Sequence, residues 1–458
     1  MEHANPMDWS RRDFLKSGSR AAALGLLGGV ELVAPKLAAA PIKAEPDGRS
    51  SALGCAVVGL GRWGRQIVST LSQLPQADLV AVCDEYPATL RRGARLAPGA
   101  KPVEDARELL GDDRIKAWIV ATPSHRHREL AEAALAAGRH VYCEAPLASS
   151  IAEAAAIARA AERAAPRWIF QAGLQGRSDP QRILAATFFH TGVVGKPVLA
   201  RAQWHRKQSW RQAAATPGRE HEVNWRLDAS RSLGLPGEVA LHHLDHATWM
   251  LSTRPLAISG QGSLIHWGGD GRTVADTVQL LVEYPEGVRL QESCSLATSF
   301  GGELELVAGT DAAILFGEQR AWMFKELDAP LLGWEMHARK ETLLDQTGLV
   351  LVANASKPAA TDAGTDPVDA ALAIPPLQHA LEAFVQSALD IERAVEDFVA
   401  AYGAEDAAAL RDYLSAVPRR PGAGWREGFE AVVLAAKAQE AVTSGHRVEL
   451  QPEWFEWS

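Results

Sequence analysis

The chain has 458 residues, 47% of them hydrophobic, and a net charge of -9 at neutral pH. That length predicts two domains, and an acidic chain without a basic stripe excludes nucleic acid as the expected partner. Four cysteines lack metal-ligand spacing. Cys55, Cys83 and Cys143 fall in or beside apolar strand-like runs and read as small core residues.

The N-terminus reads as an address. Ser10-Arg11-Arg12-Asp13-Phe14-Leu15-Lys16 is a twin-arginine signature, followed by an apolar region from Ala21 to Ala34 and a small-residue zone at Ala38-Ala39-Ala40. Residues 1–40 are therefore expected to be a Tat signal, with the Tat translocase as partner and the periplasm as destination. The apolar run is short and is broken by glycines and Glu31, which argues against a membrane span. A polar linker over 41–53 follows.

From Gly54 the pattern alternates strand and helix, as a doubly wound parallel sheet requires. Candidate strands are Cys55–Val58, Leu79–Cys83, Ala117–Ala121, His140–Cys143 and Trp168–Gln171, with helices at Glu129–Ala137 and Ala152–Ala164 among the stretches between them. Gly138 stops the first of these helices as a C-cap would. The first strand runs into Gly59-Leu60-Gly61-Arg62-Trp63-Gly64, a G-x-G-x-x-G turn opening a helix. The first glycine permits the turn, the second lets backbone approach a pyrophosphate, and the third lets helix and strand pack closely. Asp84 closes the second strand 20 residues after Gly64, where a carboxylate binds a ribose diol. It favours NAD because it repels a 2′-phosphate, whereas Arg62 keeps NADP open. An exported dehydrogenase has no nicotinamide pool to draw on, so the cofactor is expected to be tightly bound and regenerated in place.

The Rossmann unit is expected over 54–173. After a helix at Pro180–His190 the pattern changes to closely spaced strands at Val198–His205, Val278–Tyr284, Val288–Ser293, Glu303–Ala308 and Ala312–Phe316, which predicts a mostly antiparallel sheet over the 174–458 half. A loop rich in Ala, Asp, Thr and Pro spans Ala353 to Pro376, and helices follow at Leu377–Ala401, Ala404–Ala416 and Trp425–Ser444.

Three groups of residues are candidates for chemistry. Loops at the carboxyl ends of parallel strands touch the ligand. They carry Thr122-Pro123-Ser124-His125-Arg126-His127 and Cys143-Glu144-Ala145-Pro146-Leu147, where Glu144 can bond a ribose and Pro146 can hold a sharp turn. The histidines also fit solvated loop positions. The second group is Glu238-Val239-Ala240-Leu241-His242-His243-Leu244-Asp245-His246. On a helix, Glu238 and His242 share a face at i, i+4, with Asp245 three residues further. A carboxylate on one imidazole nitrogen raises the basicity of the other, which suits proton abstraction from a hydroxyl. Zinc ligation and a plain polar face compete with this reading, and no metal is assigned. The third group is aromatic and basic: Trp204-His205-Arg206, Trp210-Arg211 and Asn224-Trp225-Arg226. Trp faces stack on sugar C–H surfaces and Arg bonds hydroxyls, although single Trp residues also serve as core or interface anchors.

Together, G-L-G-R-W-G, A-T-P-S-H-R-H, V-Y-C-E-A-P-L, Q-A-G-L-Q-G-R-S-D-P, N-W-R, E-x-x-x-H-x-x-D and the closing P-E-W-F-E resemble the Gfo/Idh/MocA oxidoreductases, from about Gly54 to the C-terminus. The resemblance implies a Rossmann domain, a second α/β domain with a large open sheet, a homo-oligomer (dimer or tetramer) and a sugar or polyol pocket between the domains. It implies Glu144 at the nicotinamide ribose, His242 as acid/base with Glu238 in place of the usual Asp, and Arg177 near the pocket. Two positions depart from the family. Its E-K-P lysine polarises the reacting hydroxyl, and here Ala145 stands instead; losing such a cation costs roughly two orders of magnitude in rate or more unless replaced. Leu233-Gly234-Leu235-Pro236 replaces a small glycine-rich turn. Arg177, Arg206 or His243 as substitute cation, a redox-neutral NAD-dependent glycoside hydrolase, and a non-catalytic ligand-binding protein all remain open from the sequence.

Overall fold

The structure, a computed structural model, describes residues 52–457 apart from 318–319, 337, 344, 353–372 and 404. The expected export signal, the linker up to residue 51 and most of the 353–376 loop lie outside the described residues.

The first half alternates β1 (Leu53–Val58), α1 (Arg62–Leu71), β2 (Ala77–Cys83), α2 (Pro87–Ala94), β3 (Lys101–Val103), β4 (Ala117–Val120), α3 (His127–Ala136), β5 (His140–Cys143), α4 (Ile151–Ala164) and β6 (Phe170–Ala172). The six strands form one sheet in the order β3-β2-β1-β4-β5-β6, every pair parallel. Its central strands read as continuous apolar runs because both faces are buried. Cys55, Val57 and Ile119 enter one core cluster, whereas Ala56, Val58 and Val120 enter another. Gly138 takes a φ of +68° at the end of α3, the left-handed turn expected there.

The second half comprises α5 (Pro180–His190), β7 (Pro197–His205), α6 (Glu220–Val223), α7 (Leu241–Leu251), β8 (Ala257–Ser263), β9 (Thr277–Glu283), β10 (Arg289–Ser295), β11 (Glu303–Gly309), β12 (Ala312–Gly317), β13 (Arg320–Lys325), β14 (Lys340–Leu343), β15 (Gln346–Val350), α8 (Pro376–Tyr402), α9 (Ala407–Ser415), α10 (Trp425–Ser444) and β16 (Val448–Glu449). Ten strands order as β14-β15-β13-β12-β11-β7-β10-β9-β8-β16, antiparallel except where β7 meets β10. The fold is thus α/β with a parallel and a mostly antiparallel sheet.

Helix α8 lies far beyond residue 173 in sequence yet packs on the first sheet. Its Leu381, Phe384 and Ile391 are fully buried in the cluster that holds Val57 and Tyr142, with the Phe384 ring 5.7 Å from that of Tyr142. Burial of each such side chain contributes about 1.5–3 kcal/mol. Glu392 completes the joint. It bonds His140 on β5 at 3.0 Å and pairs with Arg167.

Candidate functional site

The site begins at the turn after β1. Gly59 has a φ of +94°, and a Cβ there would lie 2.7 Å from the Ala121 carbonyl and the Thr122 nitrogen. A Cβ on Gly64 would fall 1.8 Å from the Gly59 oxygen, so helix and strand touch through bare backbone. Gly61 is exposed and its missing Cβ faces open space, with nothing within 4 Å. Arg62 and Trp63 stand exposed beside it. Asp84 accepts from the Leu60 amide at 2.8 Å and the Tyr86 amide at 2.9 Å, which fixes the carboxylate beside the turn. Burial raises its pKa, against the pull of those two amides.

The next two strand ends carry polar atoms without partners. Thr122 Oγ1, Ser124 Oγ, His125 Nδ1 and Glu144 Oε1 are buried and have no hydrogen bond among the described residues. Native interiors seldom leave such atoms unsatisfied, and a cluster of them marks a place for a polar ligand. Burial pushes the Glu144 carboxyl up to about 7, although Trp63, the Ala145 amide and Tyr142 favour its charged form. Burial likewise lowers the pKa of His125. His127 is different. Its ring nitrogens sit 3.0 Å from the Pro146 carbonyl and 2.8 Å from the Thr122 carbonyl, and the residue is 1% exposed. The expected cofactor role for His127 is therefore corrected: it ties the two loops together, with Pro123 and Pro146 framing them. Burial drops its pKa to about 4. Ala145 and Pro146 are joined by a cis peptide.

The segment after β6 carries the site to the second half. A Cβ on Gly173 would meet Glu144 Oε2 at 2.6 Å, and one on Gly176 would meet His246 Nε2 at 2.0 Å. Arg177 then holds Asp245 through three bonds of 2.8–3.1 Å. Helix α7 is thereby pinned beside the strand end bearing Glu144. His242 lies one turn earlier on α7, half-buried, with no hydrogen bond to its imidazole among the described residues. Burial and the neighbouring His246 and His243 lower its pKa to about 4, so it is neutral at physiological pH.

Glu238 does not buttress it. Residues Pro236–Ala240 form a π-turn before α7, and the wider turn rotates Glu238 off the i, i+4 face. Its carboxylate instead accepts from Arg226 at 2.7 Å and from Ser232 at 3.4 Å. Asp245 is likewise committed to Arg177. The expected carboxylate–imidazole pair occurs one residue on: His243 Nδ1 meets Glu292 at 2.9 Å, and His246 Nδ1 meets Glu305 at 2.9 Å. Burial opposes charge on His243, but Glu292 and Glu305 outweigh it and push its pKa up to about 9. Arg182 completes this network on Glu305 at 2.6 Å. His243, Glu303 and Glu305 bring ligand-type atoms within 4.8 Å of one another, but the Arg182 guanidinium already neutralises Glu305, which leaves a metal ion little to gain. Sequence reasoning missed Glu292 and Glu305. The signal was an acid on the buried parity of a strand, as in Leu290-Gln291-Glu292-Ser293-Cys294.

The aromatic and basic group divides. Trp204 is half-buried at the end of β7 beneath Arg206, which pairs with Glu303 at 3.2 Å. Trp225 is 8% exposed and meets the His125 ring edge-on, with centroids 5.9 Å apart, so it packs against a loop and offers no open sugar platform. The three candidate replacements for the lysine absent at Ala145 are all engaged by carboxylates: Arg177 by Asp245, Arg206 by Glu303 and His243 by Glu292. His243 Nε2 lies 3.8 Å from the nearest carboxylate oxygen, on Glu305.

A model of the oxidoreductase family with an NAD-binding Rossmann fold matches residues 53–170, and one of the GFO/IDH/MocA C-terminal domain matches 184–315. The chain belongs to the Gfo/Idh/MocA family. Similar proteins within it include scyllo-inositol 2-dehydrogenase (NAD(+)) of Bacillus subtilis, 27% identical over 58% of this chain and 74% of that protein. Inositol 2-dehydrogenase of Rubrobacter xylanophilus is 33% identical over 44% of this chain and 54% of its own length, so the match spans about half of that relative. Solved structures with the same fold include levoglucosan dehydrogenase in complex with NADH and L-sorbose, with a TM-score of 0.64, 17% identity and coverage of 88% of this chain and 99% of that one. Aldose-aldose oxidoreductase of Caulobacter crescentus has a TM-score of 0.60 at 16% identity, covering 87% and 100% of the two chains. Within this Gfo/Idh/MocA chain, the open face at Gly61, the fixed Asp84 and the orphaned atoms at two strand ends fit a dinucleotide.

Proposed function

We propose that this protein is an exported Gfo/Idh/MocA oxidoreductase that keeps NAD(H) bound and interconverts a hydroxyl and a carbonyl on a sugar or polyol. The observation that carries the reading is His242: a neutral, unbonded imidazole on a helix clamped to the strand end that holds Glu144. The nicotinamide, when bound, accepts or returns the hydride. The chain's own residues do the rest. Gly61 would admit the pyrophosphate to the start of α1, with Gly64 letting helix and strand close up behind it. Asp84 and Glu144 would hold ribose hydroxyls. His242 takes the hydroxyl proton in oxidation and returns it in reduction, and it is unprotonated at neutral pH. Asp84 favours NAD, with Arg62 leaving NADP open.

Substrate class is supported by the relatives, which include a scyllo-inositol 2-dehydrogenase and a levoglucosan dehydrogenase. Export is supported by the twin-arginine signature at Ser10–Lys16. A homo-oligomer, dimer or tetramer, is supported by the second sheet. Its helix-covered face holds Ala202, Glu292 and Glu305, while the opposite face leaves Leu199, Leu281, Leu304, Leu306 and Trp322 partly or fully exposed. A second copy would cover that face.

The test is purification followed by mass spectrometry and a polyol and sugar panel. The expected result is co-purified nicotinamide dinucleotide that changes redox state on adding one substrate and is restored by a second. Protein that binds no dinucleotide at any concentration would overturn the reading. Replacing Arg11 and Arg12 by Lys should leave the protein in the cytoplasmic fraction; unaltered export would remove the Tat assignment.

A further inference from the structure

The stretch Thr216–Leu227 belongs to the second half in sequence but touches the first at two places. Tyr86, two residues past Asp84 at the end of β2, donates its hydroxyl to Glu222 at 2.6 Å. The Arg219 guanidinium lies 2.8 Å above the centre of the Tyr86 ring, and its charge is felt at Asp84. Trp225 meets His125, which follows β4. In the first sheet β2 and β4 are the two neighbours of β1. A segment that reaches the ends of both crosses over the end of β1, which is the glycine turn.

The crossing segment is rooted. Asn224 exchanges bonds with the Gln212 backbone at 2.7 and 3.0 Å. The Leu227 carbonyl accepts from the Thr273 amide at 2.8 Å, and Arg226 grips Glu238 on the π-turn. Only the Tyr86 end is shallow: Glu222 is exposed, and Arg219 and Tyr86 are half-buried.

We infer that Thr216–Leu227 is a strap across the dinucleotide cleft, and that Tyr86, Arg219 and Glu222 form its clasp and hold the cofactor in place. The inference rests on the oxidoreductase reading and deepens it, because it names the residues that set cofactor exchange. Glu238 gains a positioning role: it anchors the strap's root to the turn that leads into the His242 helix. An exposed clasp on a rooted strap opens at one end, so the dinucleotide leaves only when the Tyr86 end lifts. Weak contacts of this kind act on the release rate more than on the association rate.

The test follows NADH release from full-length protein by fluorescence in wild type, Tyr86→Phe, Glu222→Ala and the double variant. Each single change is expected to speed release about tenfold. The double change is expected to add little, since both remove one contact. Wild type that binds NADH, with release unchanged in both single variants, would overturn the clasp and leave the oxidoreductase reading standing. Independent, multiplying effects would overturn the Tyr86–Glu222 pairing. Wild type that binds no dinucleotide would overturn the underlying reading instead. A second measurement needs no variant. Tryptic cleavage after Arg219 is expected to slow when NADH is bound, and cleavage indifferent to NADH would contradict a strap over the cleft.

Discussion

Two buried polar regions of this molecule lie a helix apart and differ in how far they are paired. Under α7, the buried acids are paired: Glu305 accepts from Arg182 and bonds His246, and Glu292 pairs with His243, while Arg182 Nη1 and His246 Nε2 keep no partner among the described residues. At the ends of β4 and β5, Thr122, Ser124, His125 and Glu144 each keep a buried atom without a partner. Internal pairing holds a scaffold in one arrangement, whereas unsatisfied atoms gain only when something else arrives. The histidine that the enzyme reading depends on, His242, sits on the helix that separates the two regions.

That contrast can be broken most severely at Glu292. Glu292→Ala strands a buried, charged His243, and losing one partner of such a pair costs about 3–5 kcal/mol. Chemical denaturation should show a drop of that order; a near-neutral change would mean the network is not an ionic scaffold. A pH titration of stability comes next. The folded His243 pKa is raised from 6.5 to about 9, so its contribution is complete below the unfolded value and is lost as pH rises through about 9. Melting temperature should fall over that window in wild type, and the fall should shrink in His243→Gln. Equal slopes in the two proteins would contradict the assigned charge.

The orphaned side should behave in the reverse sense. Thr122→Val removes a hydroxyl that has no partner, so the cofactor-free protein should be as stable as wild type or more so, while NAD binding weakens by about 1 kcal/mol. Loss of stability without loss of affinity would show that the hydroxyl is structural. The smallest effect is expected far from both regions. The exposed Arg107–Asp105 pair at 2.6 Å is screened by solvent, so Arg107→Ala should change neither melting nor turnover measurably.

The first half was legible in the sequence because its signals are local: a glycine turn at fixed spacing, apolar runs of strand length, an acid where the second strand ends. Other features were hidden because they depend on distant partners. The helix over 377–401 was readable as a helix, but nothing in its own residues says that Phe384 packs on Tyr142 of the first sheet. Strands such as Arg320–Lys325 and Lys340–Leu343 are short, mixed in polarity and near the sheet's edge. At the site, the spacing of Glu238 and His242 was read on an α-helical wheel. A π-turn beginning at Pro236 displaced the acid to Arg226. The neighbouring His243 took the carboxylate partner that His242 was expected to have. The Asn224-Trp225-Arg226 run reads in the sequence as a sugar-binding group, whereas its contacts are with the Gln212 backbone, His125 and Glu238.

The account stands or falls on His242. His242→Gln removes the base and keeps the size and polarity of the position. Dinucleotide occupancy and reduction of bound NAD by a polyol substrate should be measured on the same sample. The account predicts wild-type occupancy with reduction slowed by about 10²–10⁴-fold. Full occupancy with an unchanged rate would contradict it.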